Sequence, residues 1–77
     1  MAENFTFGII GLGTMGRNLL LNMADHNFQV AGHDKDQSKL ELLSKESSGK
    51  TNVKGFNTAN EFIQSLKKPR AIMLLAT

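Results

Sequence analysis

The stretch FTFGIIGLGTMGRNLLLNMADH, Phe5 to His26, decides the reading of this 77-residue chain. Its first six residues, Phe5 to Ile10, form an apolar run with aromatic and β-branched side chains that stops at Gly11, the pattern of a short buried strand. Gly11, Gly13 and Gly16 follow in the spacing G-x-G-x-x-G. From Met15 the period changes. Met15, Leu19 and Met23 fall four apart, Leu20 and Ala24 widen the stripe, and Arg17, Asn18 and Asn22 lie largely on other faces, which predicts an amphipathic helix ending near His26. His26 suits the negative end of that helix's dipole, and Asn27 tolerates the left-handed backbone of a helix stop; both also read as ordinary solvated residues.

A glycine-rich turn between a strand and a helix has a mechanical logic. Gly11 permits the tight turn, Gly13 lets a pyrophosphate approach the backbone, and Gly16 lets helix and strand pack closely. The phosphate charge meets free amides at a helix N-terminus, where about half a positive charge resides. A purely structural glycine turn is the competing reading, and the strand-turn-helix context favours the nucleotide. Leu12 and Thr14 contribute mainly backbone. Met15, opening an apolar stripe, reads as core filler ahead of a cofactor contact. Arg17 reads equally as a phosphate contact and as a solvated surface charge.

Beyond the helix, Phe28 to His33 (FQVAGH) reads as a second strand, followed by Asp34, Lys35 and Asp36. Asp34 sits where a carboxylate accepts hydrogen bonds from adenosine ribose hydroxyls, roughly 20 residues past the glycines. A carboxylate there repels a 2′-phosphate and tilts the site toward NAD, while the ammonium of Lys35 can pair with one. The alternative for this trio is a solvated turn with Asp36 capping the next helix. That helix opens at Asp36 or Gln37 and runs through Leu40, Leu42 and Leu43, and Ser47 to Asn52 has loop composition. Thr58 and Glu61 make a capping box for a third helix carrying Phe62, Ile63 and Leu66, which Pro69 stops. Ala71 to Ala76 (AIMLLA) is nearly all apolar, as expected of a parallel strand covered by helices on both faces. The order predicts an α/β fold, the Rossmann-type βαβαβ half of a doubly wound parallel sheet.

Composition narrows the function classes. The chain is 40% apolar with no cysteine, which excludes a disulfide framework and a thiolate metal site. No apolar run reaches the roughly 18 to 20 residues of a membrane span, and Glu3 stands where a secretion signal carries positive charge, so a cytoplasmic protein is expected. The net charge is only +2, and Lys35, Lys39, Lys45, Lys50 and Lys54 are interleaved with acids or loop residues, which disfavours nucleic acid. His26 and His33 have no evident orienting partner or nucleophile, and no metal-ligand pattern is present.

With these residues in hand, GLGTMGRNLLLNMADHNFQVAG (Gly11 to Gly32) resembles the pattern G-L-x-x-M-G-x-N-L-x-L-N-M-x-D-H-G-F-x-V of the 6-phosphogluconate dehydrogenases. QSK (Gln37 to Lys39) and LKKPRAIMLL (Leu66 to Leu75) are similar to family segments in the same order. Related hydroxyacid dehydrogenases share the glycine turn; NMADH (Asn22 to His26) and LKKPR (Leu66 to Arg70) are the more specific matches. The resemblance implies oxidation of 6-phosphogluconate at carbon 3 and loss of carbon dioxide to give ribulose 5-phosphate, in the pentose phosphate pathway. A nicotinamide cofactor takes the hydride, and the full-length enzyme is a homodimer. It implies that Gly11, Leu12, Gly13, Thr14, Met15 and Gly16 hold the cofactor's phosphates, Asp34, Lys35 and Asp36 its adenosine ribose, and Ala76 with Thr77 the loop after the third strand.

Two departures bear on cofactor choice. The family commonly has Asn-Arg-Thr where this chain has Asp34, Lys35 and Asp36, and a lysine where it has Thr77. The resemblance thus favours NADP while Asp34 tilts slightly to NAD. The family's catalytic lysine and glutamate belong to segments far beyond residue 77, so the expectation is a non-catalytic fragment. Residues 1–77 would be the N-terminal part of an NAD(P)-binding domain whose substrate domain is absent. The alternatives are the cofactor domain of another hydroxyacid dehydrogenase and a stand-alone, non-catalytic nucleotide-binding module.

Overall fold

The computed structural model describes residues 5–68 and 71–75. In chain order these form β1 (Phe7–Ile10), α1 (Thr14–Asp25), β2 (Val30–His33), α2 (Gln37–Glu46), β3 (Val53–Phe56), α3 (Ala59–Gln64) and β4 (Ile72–Leu74). The strands make one parallel sheet in the order β3-β2-β1-β4. Its register sets Phe7 beside Val30 and Ile10 beside His33, with Leu74 across Ile10 on the other side. All strand C-termini therefore open at one end of the sheet.

Side chains alternate across the strands and so divide the core between the two faces. On one face Ile9 and Val30 pack with Leu20 and Ala24 of α1 and with Leu40 and Leu43 of α2. On the other, Ala31 meets Phe62 of α3, with Phe5 and Leu66 beside them. This is the expected α/β doubly wound arrangement, with α1 and α2 on one face and α3 on the other.

The structure departs from the sequence reading in several places, each for a physical reason. The fully buried row of α1 is Gly16, Leu20 and Ala24, one residue on from the expected row of Met15, Leu19 and Met23. The close approach of Gly16 to β1 turns the helix this way, and it leaves Met15 73% exposed instead of in the core. β3 was not expected: Val53, Lys54, Gly55 and Phe56 carry only two apolar side chains, and backbone pairing with β2 defines the strand. The last strand is therefore the fourth. It lies at the sheet edge with Ile72, Met73 and Leu74 exposed, so helices do not cover both its faces among the described residues.

The helix ends are locally determined. Asn27 adopts φ 70° and stops α1 as its residue type allows. The Asn52 side-chain amide donates to the carbonyls of Ala24 (2.8 Å) and Phe28 (2.9 Å), tying the start of β3 to the end of α1. Thr58 caps α3, its Oγ1 accepting from the Glu61 amide at 3.4 Å. The helix ends at Gln64, before Leu66, which instead bridges Phe5. Ile63 is exposed, and Phe62 is the buried side chain of the helix. Pro69 and Ala76 lie outside the described residues.

Candidate functional site

The site begins where β1 ends. Gly11 has φ 103°, a backbone conformation that L side chains rarely adopt, and its amide donates to the His33 carbonyl at 2.9 Å. The turn is thereby pinned to the end of β2. Leu12 follows with its side chain fully buried in the core and its amide donating to Asp34 Oδ2 at 2.9 Å. Gly13 is the N-cap of α1, with φ −66° and ψ −174°. It offers no side-chain cap, and the first helical turn carries no acid. The opening amides of α1, which have no partner within a helix, thus keep their positive potential.

The three glycines have separable causes. Gly11 is required by its backbone angle. At Gly16 a Cβ would overlap the Gly11 carbonyl oxygen and stand 3.1 Å from its carbon. Gly13 is required by neither: its extended backbone suits any residue, and a Cβ there would meet nothing within 4 Å. The space above Gly13 is open, at the N-terminus of α1 that no side chain caps.

That space belongs to a cavity of about 590 Å³ at the C-terminal ends of the strands. The turn contributes Gly11, Gly13, Thr14, Met15 and Gly16 to its wall; His33 comes from the end of β2, Asp34 and Lys35 from the link that follows and Lys39 from the start of α2; Leu74 ends β4 and Leu75 follows it. Crevices at this end of an open α/β sheet are where such folds bind ligands. A second cavity of about 660 Å³ lies between α2 and β3, lined among others by Leu40, Leu43, Glu41 and Glu61. The neighbouring helix N-termini are already capped by Asp36 and Thr58, so it offers no comparable anion site.

Asp34 is the most constrained polar group of the first cavity. Oδ2 accepts from the Leu12 amide and Oδ1 from the Asp36 amide, both at 2.9 Å, and Lys39 Nζ lies 3.9 Å from Oδ2. Partial burial opposes the charge, but the two amides together with Lys39 and His33 outweigh it and hold the carboxyl below its ordinary 3.8. A depressed folded pKa means that the carboxylate contributes stability present above the unfolded value and lost as the pH falls through the folded one. As the pH falls through the acid range and below the ordinary 3.8, the stability advantage of the protein over Asp34→Asn should shrink. Denaturant midpoints measured across that window check this, and parallel pH curves for the two proteins would contradict it.

The other residues singled out by sequence divide clearly. Lys35 is exposed in the cavity wall. Asp36 instead caps α2, Oδ1 accepting from the Ser38 amide (3.0 Å) and hydroxyl (2.7 Å), and it does not line the cavity. Arg17 is outside the wall as well: its Nε donates to Glu46 Oε1 at 2.7 Å, and its side chain is only 14% exposed. Ala76 and Thr77 lie outside the described residues. His26 bonds to the Asn22 carbonyl at the far end of α1. Among the described residues no group of His, Cys, Asp or Glu is placed to hold a metal ion, and no helix is long and apolar enough to cross a membrane.

Sequence reasoning missed five cavity residues, Ile10, His33, Lys39, Leu74 and Leu75. His33 bonds through Nδ1 to the Phe56 carbonyl at 3.0 Å and stacks on Phe62 at 5.7 Å, so β3 and α3 position it. Lys39 comes from the first turn of α2, five residues past Asp34, a spacing visible once Asp36 is recognised as the cap. Leu74 reaches the cavity only through the pairing of β4 with β1.

Comparison with known proteins agrees with this geometry. A family model described as the NAD binding domain of 6-phosphogluconate dehydrogenase matches residues 6–77. The decarboxylating 6-phosphogluconate dehydrogenase of Chlamydia trachomatis is 45% identical over 75 residues, which are 97% of this chain and 16% of that protein. The decarboxylating enzyme 1 of Saccharomyces cerevisiae is 47% identical over 70 residues, 90% of this chain and 14% of its own length. The chain thus spans about one sixth of these curated relatives. The structure of Plasmodium falciparum 6-phosphogluconate dehydrogenase, described in apo form, with its cofactor NADP+ and with its substrate 6-phosphogluconate, aligns with a TM-score of 0.82 at 35% identity, covering 91% of this chain and 15% of that one.

Proposed function

The chain belongs to the family of the NAD binding domain of 6-phosphogluconate dehydrogenase, and we propose that residues 1–77 are the N-terminal part of the NAD(P)-binding domain of an enzyme that oxidatively decarboxylates 6-phosphogluconate. The observation that carries the nucleotide site is Gly13, a glycine that neither backbone strain nor protein packing requires, at the uncapped N-terminus of α1. A pyrophosphate approaching the amides around Thr14 and Met15 accounts for it. Gly11 and Leu12 shape the turn, Gly16 seats the helix, and Asp34 and Lys35 stand at the ribose end. Asp36 acts there through its cap on α2, and the family resemblance adds Ala76 and Thr77 to the cofactor contacts.

When bound, the nicotinamide supplies the hydride acceptor for oxidation at carbon 3, which precedes loss of carbon dioxide. The residues of this chain bind and orient the nucleotide and exclude water from its phosphates. The substrate, a homodimeric assembly and a cytoplasmic location are carried over from the family resemblance, and the Plasmodium relative described with NADP+ and 6-phosphogluconate supports the first. Incubation of the full-length enzyme with 6-phosphogluconate and NAD+ or NADP+ should give reduced nucleotide and carbon dioxide in equal amounts. Nucleotide reduction with another hydroxyacid and none with 6-phosphogluconate would assign the chain to a different dehydrogenase.

A further inference from the structure

Resting on the nucleotide-binding reading of this cavity, we infer that Asp34 makes the site select a nucleotide with a free adenosine 2′-hydroxyl, NAD+ over NADP+, because its carboxylate is a fixed part of the glycine turn. Oδ2 holds the Leu12 amide and Oδ1 the Asp36 amide, each at 2.9 Å, and only 13% of the side chain is exposed. One amide belongs to the phosphate-binding turn and the other to the entry of α2. Swinging the carboxylate aside for a 2′-phosphate therefore breaks both hydrogen bonds and unties the turn that holds the rest of the cofactor.

A ribose hydroxyl asks for no such movement. A carboxylate is acceptor-only and has about four lone-pair sites, so each oxygen can keep its amide and accept a further donor. A phosphate is itself an acceptor carrying about 1.5 to 2 negative charges near neutrality and gains nothing from Asp34. The opposing positive charges are weaker than their number suggests. Lys39 Nζ, 3.9 Å from Oδ2, is already set against the carboxylate it neutralises. Lys35 is exposed, and a solvated ammonium on a flexible stem is screened and offers no fork of donors.

The test is calorimetric titration of the protein, Asp34→Asn and Lys39→Gln with NAD+ and with NADP+ at one ionic strength, alongside thermal unfolding of each. NAD+ should bind more tightly by on the order of tenfold or more, the range of one charge-assisted hydrogen bond. Asp34→Asn should narrow or invert that ratio, and Lys39→Gln should widen it by leaving the carboxylate unopposed. If Asp34→Asn fails to fold, the ratio in Lys39→Gln decides. NADP+ binding as tightly as NAD+ would overturn the inference. So would variants that weaken both nucleotides by one common factor, which would leave Asp34 only a structural tie. Binding of neither nucleotide would instead remove the nucleotide-binding reading on which the inference stands.

Discussion

Gly16→Ala should lower the stability of the protein by about 3 kcal/mol or more, the upper end of overpacking effects. A methyl group at this position overlaps the carbonyl oxygen of Gly11, which is backbone, and Gly11 cannot retreat because its amide is bonded to His33 and its φ is 103°. The remaining relief is to lift α1 from β1. That movement uncovers Ile9, Leu20 and Ala24, all buried in the larger of the two core clusters. A chain of this length has in total about 4 to 12 kcal/mol of stability, so the loss takes a large share of it. A shift of the urea midpoint at unchanged slope measures the effect, and a midpoint within about 0.5 kcal/mol of the parent would mean that the helix is not seated as described.

The second large effect is of the opposite kind. Gly13→Val should cost no more than about 1 kcal/mol of stability, the typical loss when a good N-cap residue gives way to a poor one such as valine, because the backbone is extended and a Cβ meets nothing within 4 Å. Nucleotide affinity should fall on the order of a hundredfold or more, since the branched side chain fills the space through which a phosphate reaches the first amides of α1, and each charge-assisted hydrogen bond lost costs about 1.5 to 3 kcal/mol. The measurement pairs a denaturation curve with a binding titration. A folded variant that retains parental affinity would show that the open space above Gly13 is not where the phosphates lie. The two substitutions, three residues apart in one motif, thus separate architecture from ligand binding.

The strand, turn and helix from Phe7 to Asp25 were legible because their determinants are local: a short apolar run, glycines at fixed offsets and a helical period. Asn27 and Thr58 were legible for the same reason, since a left-handed stop and a side-chain cap involve only near neighbours. β3 was not, because Lys54 and Gly55 interrupt its apolar pattern, Gly55 leaving room for Leu40 of α2, and its pairing with β2 is more than twenty residues distant. The exposure of β4 was illegible for a related reason: an apolar run reports that a strand is to be covered, and only the strand order shows which side of the sheet it occupies.

Within the site, the glycines and Asp34 were found by spacing, but the partners that give Asp34 its character were not. Its bond to the Leu12 amide spans 22 residues and depends on the β1 and β2 registers. Arg17, open to two readings from sequence, is settled by Glu46, a residue in another helix. Periodicity placed Met15 in the core because it measures distance along a helix and not the closeness allowed by a neighbouring glycine.

If the uncapped N-terminus of α1 holds the phosphates of a dinucleotide, titration of the isotope-labelled protein with NAD+, each backbone amide followed by nuclear magnetic resonance, should give its largest shifts on Gly13, Thr14, Met15 and Gly16, with a second set on Asp34 and Lys35. Shifts centred instead on Leu43, Val53 and Gly55, in the cavity between α2 and β3, would contradict it.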